Sequence, residues 1–180
     1  MRAVLALALS TQVFGGWIRL QSAGVELLSD AGEKSARAVL DRLQEVRSVF
    51  EEEHPVGRVE VRVFLFRSEA ALREIAPTRN TKGFFQSDPE RDVIVLHAGE
   101  GVTREAAHEF VHLLLSQASA PLPAWFEEGT ADLYSNLSVA RGRASIGAAI
   151  PTHVRAVQTS KLLSASELRQ PGKSSEPVFY

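Results

Sequence analysis

Hydrophobic residues in the first third of the chain follow two different periods. Apolar and β-branched runs predict strands over Trp17–Leu20, Val25–Leu28 and Val59–Phe66. Between the second and third runs, apolar residues recur every three or four positions, which predicts a helix from an Asp30/Glu33 capping pattern to about residue 50. The stripe expected to face the sheet consists of Ala36, Val39, Leu40, Leu43, Val46 and Phe50.

The middle of the chain predicts a short helix and a pair of strands. Ser68 is placed to cap a helix that ends near Ile75. Gly83–Gln86 and Asp92–Leu96 read as strands, and the turn between them is too short for a helical crossover. We therefore expect these two strands to pair antiparallel.

From Thr103 onward the pattern is mainly helical. The predicted elements are helices from Thr103 to about Ser119 and from Ala124 to about Leu137, a hairpin over Val139–Ile146, a helical segment Pro151–Leu163, and a capping pattern at Ser164 and Glu167. Strands followed by helices indicate an α+β class, with a small mixed or antiparallel sheet packed on helices.

Composition limits the function classes. A chain of 180 residues with 44% hydrophobic and 23% charged residues fits one globular domain. The net charge of −2 argues against a nucleic-acid partner, which would need a basic stripe. Because there is no cysteine, a zinc site in this chain must use imidazole and carboxylate ligands.

The N-terminal segment has some features of a secretory leader. Arg2 precedes the apolar stretch Ala3–Leu9, and small residues follow. This favours a leader over residues 1–16 and export to the periplasm or outside the cell over a cytoplasmic location; an ordinary buried first segment is the alternative. The remaining domain is then 17–180, with continuation beyond Tyr180 left open. No stretch reaches the roughly 20 apolar residues of a membrane span.

The chemistry of the chain is concentrated in a His-Glu-x-x-His motif at His108, Glu109 and His112. On a helix, residues four apart lie about 40° apart around the axis and roughly 6 Å along it, so both imidazoles can reach one ion. Phe110 and Val111 make this helix apolar, and buried polar groups there need a partner or a metal. The alternative is a helix with two hydrogen-bonded histidines and no metal.

A second acidic motif follows on the next predicted helix. Glu128 and Asp132 are four residues apart and share a helical face, beside the apolar pair Trp125 and Phe126. A carboxylate from this helix would complete a His₂Glu set and leave a fourth position open, as a hydrolytic zinc site requires. Glu128 can supply that ligand while Asp132 accepts the ring N–H of a ligand histidine.

These two motifs resemble the gluzincin clan of zinc metallopeptidases, and within it the bacterial peptidase MA-like domain. The similar residues are His108, Glu109, His112, Trp125, Phe126, Glu128, Gly129, Ala131 and Asp132. The resemblance implies a zincin-like fold that holds one Zn²⁺ per chain between the motif helix and the following helix. It implies His108, His112 and Glu128 as metal ligands and Glu109 as the general base. Glu127 departs from the common pattern, which leaves open whether it or Glu128 binds.

The expected activity is zinc-dependent hydrolysis of peptide bonds in a peptide or protein substrate. Asp92–Leu96 is our candidate for a strand that holds the substrate extended by strand addition. A donor to the tetrahedral oxyanion is also needed, and the candidates in this chain are His153 and Tyr134. The alternatives are a catalytically inactive zincin-fold binding or assembly module, and a plain α+β interaction domain with an accidental motif. The oligomeric state is left open.

Overall fold

A six-stranded mixed sheet forms the framework of the protein. The computed structural model describes residues 10–78, 81–118, 120–159 and 164–168. The strands are β1 (Ser10–Phe14), β2 (Trp17–Ser22), β3 (Val25–Ser29), β4 (Val61–Phe66), β5 (Gly83–Gln86) and β6 (Asp92–His97). Their spatial order is β1-β2-β3-β4-β6-β5, so β1 and β5 are the two edges.

The sheet combines antiparallel hairpins with a parallel centre. Strand β1 pairs antiparallel with β2, and β2 with β3, whereas β3 and β4 are parallel and so are β4 and β6. The predicted antiparallel pairing of β5 with β6 is confirmed, with Phe85 opposite Ile94. Residues 10–14, inside the segment interpreted as a leader, form the first strand of this sheet; residues 1–9 lie outside the described part of the chain.

The helices follow the predicted stripes closely. They are α1 (Glu33–Glu53), α2 (Glu69–Ile75), α3 (Val102–Ser116), α4 (Ala124–Ser135), α5 (Pro151–Thr159) and α6 (Ala165–Leu168). The buried residues of α1 are the six predicted from its period. A small separate hairpin joins β7 (Ser138–Ala140) to β8 (Arg143–Ser145), as expected from the sequence. Residues 160–163, at the end of the predicted fifth helix, lie outside the described residues.

The three capping predictions had different outcomes. Ser68 lies at the N-cap position of α2, but its side chain makes no capping hydrogen bond. The Asp30/Glu33 capping box is not formed, because α1 begins after Gly32 and the Asp30 carboxylate instead accepts the backbone N–H of Arg67 at 2.6 Å. At α6 the predicted box is present: Ser164 Oγ accepts from the Glu167 N–H, and the Glu167 carboxylate accepts from the Ser164 N–H. The Asp30 carboxylate thus makes a hydrogen bond to a distant part of the chain, whereas the Glu167 carboxylate caps its own helix.

One hydrophobic core lies between the sheet and the helices. Along β4, Val61, Val63 and Leu65 are buried while the residues between them are only half-buried, so one sheet face is covered more fully than the other. Helix α3 contacts α1, α4, β5 and β6, and Phe110 is fully buried there. The fold is therefore a small α/β domain with a mixed sheet, and α3 lies at its centre. Among the described residues, no helix is both long and apolar enough to cross a bilayer.

Candidate metal centre and active site

Helix α3 carries a polar stripe along an otherwise buried cylinder. Gly101, at φ 80°, precedes its first turn, and a residue with a Cβ would be strained in that conformation. The apolar side of α3 is buried, whereas its other side lines an open cleft. The cleft-lining members of the stripe are Glu105, His108, Glu109, His112 and Ser116. Their spacing at three and four residues is the reason that they share one face.

The predicted ligand residues are brought together at the middle of this stripe. The Nε2 atoms of His108 and His112 are 3.2 Å apart. From Glu128 on α4, Oε2 lies 3.4 Å from the His108 Nε2 and 3.7 Å from the His112 Nε2. Two imidazole nitrogens and one carboxylate oxygen thus form a small, nearly equilateral triangle.

The triangle has the dimensions of a tetrahedral zinc site. With bonds of about 2.0–2.2 Å, tetrahedral geometry separates ligand atoms by roughly 3.3–3.6 Å. The Oε2 atom of Glu128 is buried and, among the described residues, has no hydrogen-bond partner. Leaving a buried charged oxygen unpaired is costly, and a shared cation would remove that cost. The donor set and its spacing therefore fit Zn²⁺, and the three residues line an open cleft.

The pKa values of His108 and Glu128 also show that the cluster favours a positive charge between its carboxylates. Burial lowers the pKa of His108, but the carboxylates of Asp132, Glu128 and Glu109 outweigh this effect and raise the pKa to about 10. Burial raises the pKa of Glu128, but His108 and His112 overcome that rise and bring it to about 2. In the protein alone, a proton on His108 supplies the missing charge. A divalent cation can replace that proton.

Asp132 lies behind the ligand triangle and contacts two imidazoles. Its Oδ1 is 3.2 Å from the His108 Nδ1, the nitrogen that faces away from the triangle. Its Oδ2 is 2.9 Å from the Nδ1 of His153 on α5. The first contact is the one expected from the sequence, between the Asp132 carboxylate and the ring of His108. The second contact places His153 beside the same cleft.

Glu109 is the carboxylate of the stripe that stays outside the triangle. Only 8% of the residue is exposed. Burial raises the pKa of Glu109 and the nearby Glu105 adds to the rise, while the imidazoles of His108 and His112 and the backbone N–H of Phe85 oppose it. The net direction is upward, toward the value that suits a group that both takes and returns a proton near neutral pH.

Among the described strands, β5 rather than β6 has an unpaired edge, and residues of β5 line the cleft. The expectation that Asp92–Leu96 would be the substrate strand is wrong, because β6 lies between β4 and β5 and both of its edges are paired. Gly83 explains how β5 comes so close to α3: a Cβ there would lie 3.0 Å from the Glu105 Cγ and 2.7 Å from the Leu96 Cδ2. The cleft has a volume of about 1050 Å³, which is ample for a peptide segment.

The two remaining candidate residues, Glu127 and Tyr134, lie in different surroundings. Glu127 lines the cleft but is not part of the cluster that could hold an ion. The carboxylate that lies near the two imidazoles is that of Glu128. Tyr134 is 3% exposed and packs in the core against Phe50, with ring centroids 5.0 Å apart. Its burial, and to a lesser degree the charge of Glu53, raises the pKa of the phenol. The structure therefore does not bring Tyr134 to the cleft.

Sequence reasoning missed three contributions to the site. These are the carboxylate of Glu105, the backbone N–H of Phe85 and the free edge of β5. Glu105 could have been recognised, since it lies three residues before His108 and so extends the same polar stripe. The other two depend on which strand is outermost, and strand order is not encoded in the local pattern.

A scan against protein-family models finds no match to the chain, and a search of curated proteins finds no relative.

Proposed function

We propose that the protein is a zinc-dependent peptidase of the gluzincin type, with a zincin-like fold. The observation that carries the proposal is the Glu128 Oε2 atom, which is buried, has no hydrogen-bond partner in the described part of the chain, and lies at one corner of a triangle whose other corners are imidazole nitrogens. His108, His112 and Glu128 would hold one Zn²⁺ per chain. Bound in such a site, Zn²⁺ acidifies water and polarises a carbonyl group.

Glu109 is the general base in this proposal. Its carboxylate lies next to the ligand His108 along α3 but makes no corner of the triangle, so it is free to take a proton from the attacking water and return it to the leaving amine. The backbone N–H of Phe85, on β5, favours the charged form of this carboxylate and lowers its pKa. A buried base with a raised pKa suits that double role.

The substrate is proposed to be a polypeptide in extended form. Strand β5 is the outermost described strand on its side of the sheet and lines the cleft together with Glu109 and the triangle residues, so its outer edge is our candidate for pairing with an extended peptide. His153 lines the cleft, and its Nδ1 lies 2.9 Å from the Asp132 Oδ2; it is our candidate for contacting a developing oxyanion. Tyr134 has no part in this scheme because it is buried in the core.

The test compares zinc-loaded wild type with Glu109→Gln in the hydrolysis of quenched fluorescent peptides and unfolded protein. We expect the substitution to reduce turnover by about 10²–10⁴-fold while one zinc per chain is retained. Glu74→Gln, which changes an exposed glutamate on α2, is the matched control and keeps full turnover. Undiminished turnover in Glu109→Gln would show that the assigned base is wrong. A wild type that binds zinc but cleaves nothing would instead indicate a non-catalytic zincin-fold module.

A further inference from the structure

Exposed apolar side chains are concentrated in one stretch of the chain. Within the part that the structure describes, the large apolar residues that are exposed lie between residues 125 and 157, with Ile75 as the exception. They are between 38% and 51% exposed and belong to α4, to the β7–β8 hairpin with the residue after it, and to α5. Adjoining apolar side chains on the outside of a domain mark a surface that binds a partner. The residues are Trp125, Phe126, Leu133, Val139, Ile146, Val154 and Val157.

Two contacts join the hairpin and α5 to α4. The Gly147 N–H donates to the Leu133 carbonyl at 3.0 Å, which ties the chain after the hairpin to α4. The His153 Nδ1 lies 2.9 Å from the Asp132 Oδ2, which joins α5 to the same helix. The exposed apolar residues therefore belong to elements that adjoin one another, and we call them together the α4–α5 surface.

Helix α5 has an apolar face that the rest of the described chain leaves open. Val154 and Val157 lie three residues apart and share a face with Ile150, the residue before the helix. Arg155 and Thr159, four residues apart, share the opposite face. No residue of α5 is buried. An amphipathic helix with an open apolar face is typical of segments that lie in the interface of a lipid bilayer.

The charges of this region have one sign. Residues 133–166 contain four basic residues and no Asp or Glu, in a chain that has 22 acidic residues. In the described part of this stretch, Arg141, Arg143 and Arg155 are exposed and form no ion pair. By contrast, Arg37 and Arg73 each pair with a glutamate four residues earlier on the same helix. The three acidic residues of α4 all line the cleft. Exposed arginines without acidic neighbours favour an anionic partner.

We propose that the α4–α5 surface binds an anionic lipid bilayer, with its apolar side chains in the interface and its three arginines at the headgroups. Apolar burial and attraction to anionic lipid strengthen such binding together. Trp125 suits this place, because tryptophan is enriched where a bilayer meets water. A deformable bilayer accepts side chains that project from two helices and a hairpin, whereas a folded protein would need a shape complementary to all three. A second copy of the chain would bring its own arginines against the first set.

Lipid binding at this surface would bring the cleft beside the bilayer. Helix α4 supplies Glu128 and Asp132 to the cleft, and α5 supplies His153. Polypeptides at the membrane surface would then be the ones within reach of the candidate site. Lipid binding itself needs neither metal nor catalysis, so its failure and the failure of the proposed function are separate results.

The experiment is co-sedimentation of the purified chain with vesicles of equal parts phosphatidylglycerol and phosphatidylcholine, and with vesicles of phosphatidylcholine alone. Each arginine near an anionic surface strengthens binding by about fivefold, so we expect the anionic vesicles to bind about 10²-fold more tightly. Joint substitution of Arg141, Arg143 and Arg155 by Ala should remove that advantage. Joint substitution of Val154 and Val157 by Ser should weaken binding by about tenfold.

Tryptophan fluorescence reports where the apolar side chains go. The chain has two tryptophans, so Trp17→Phe leaves Trp125 as the reporter. Its emission should shift to the blue with anionic vesicles, because the indole leaves water for the interface. Vesicle binding without a blue shift would overturn the placement of the apolar side chains in the interface.

Joint substitution of Arg37, Arg58 and Arg73 by Ala is the matched control. It removes the same charge from exposed arginines that pair with glutamates elsewhere, and it should keep wild-type vesicle binding. Thermal unfolding checks that both triple variants are folded. A wild type that stays in solution with anionic vesicles, or an equal loss of binding in the control, would overturn the proposal. Retention on immobilised polyglutamate without vesicle binding would assign the surface to an acidic protein and would also overturn it.

Discussion

The carboxylates of Glu26 and Glu128 are both withdrawn from solvent, yet the chain surrounds them in opposite ways. Glu26, on β3, accepts from Arg19 at 2.7 Å, from Arg62 at 2.8 Å and from Arg91 at 2.7 Å. Glu128 meets two imidazole nitrogens, and its Oε2 has no hydrogen-bond partner among the described residues. The Glu26 carboxylate is surrounded by three guanidinium groups, which are always charged. The Glu128 carboxylate is near two imidazoles, which are charged only when protonated.

This difference is the one expected between a carboxylate with a structural role and a carboxylate that serves as a metal ligand. The three arginines come from β2, β4 and the turn before β6, so Glu26 ties neighbouring strands together through charges that the chain provides. At Glu128, a carboxylate oxygen and two imidazole nitrogens have the spacing of ligand atoms in a metal site. A buried carboxylate that folding leaves unpaired is a better guide to an external cation than acidity alone, and each prediction below tests that contrast.

The largest expected effect is the stabilisation of the protein by zinc and its loss in Glu128→Gln. At a free zinc concentration of about 1,000 times Kd, binding to the native state adds about 4 kcal/mol, or about 8–16 °C in Tm for a chain of this size. Thermal unfolding with zinc and with chelator should show this shift in wild type and in Glu26→Gln. An equal shift in Glu128→Gln would contradict the assignment of the third ligand.

Next in size is the effect of Glu26→Gln on stability without metal. The substitution removes the shared acceptor of three guanidinium groups, and we expect a loss of about 2 kcal/mol in the free energy of unfolding. The loss stays moderate because the arginines are 36–41% exposed and can turn to water. Urea unfolding in the presence of chelator measures it. If Glu26→Gln were as stable as wild type, the bonds between Glu26 and the three arginines would not stabilise the sheet.

The same variant gives a pH dependence with a defined sign. Burial raises the pKa of Glu26, but Arg62 and Arg19 outweigh burial and hold it below the usual value of 4.5. A carboxyl with a depressed folded pKa stabilises the protein fully above its unfolded pKa, and that contribution disappears as pH falls through the folded pKa. The stability difference between wild type and Glu26→Gln should therefore be constant near neutral pH and shrink below about pH 4.5. Urea unfolding of both proteins between pH 7 and pH 3 measures this difference. A stability difference that increases as the pH falls would contradict the lowered pKa of Glu26.

The smallest expected effect is that of removing one of the arginines. Arg91→Ala leaves Glu26 with two guanidinium partners, and Arg91 is 40% exposed, so we expect a loss of only about 0.5 kcal/mol. Chemical denaturation beside Glu26→Gln measures the ratio of the two losses. A cost for Arg91→Ala equal to that of Glu26→Gln would mean that the arginines are not redundant.

Local sequence patterns predicted most of the elements and the helix faces that carry the candidate site residues, because these follow from residue spacing within each element. The stripe in α1 gave all six of its buried residues, and the four-residue spacings on α3 and α4 aligned His108 with His112 and Glu128 with Asp132. These features depend on the 3.6-residue turn and on little else.

Features that depend on distant parts of the chain were not predicted. The position of β5 outside β6 follows from pairing between β4 and β6, which no local pattern encodes. Asp30 was expected to cap α1, but the Arg67 N–H competes for its carboxylate from another strand end. The shared use of Asp132 by His108 and His153 likewise requires α5 to fold back beside α4.

Metal analysis of the purified chain after zinc loading and removal of free metal is the most direct test of the central claim. The account predicts one zinc per chain in wild type, in Glu109→Gln and in Glu26→Gln, and almost none in His112→Ala or Glu128→Gln. Zinc that is absent from wild type, or that survives the loss of His112 or Glu128, would contradict it.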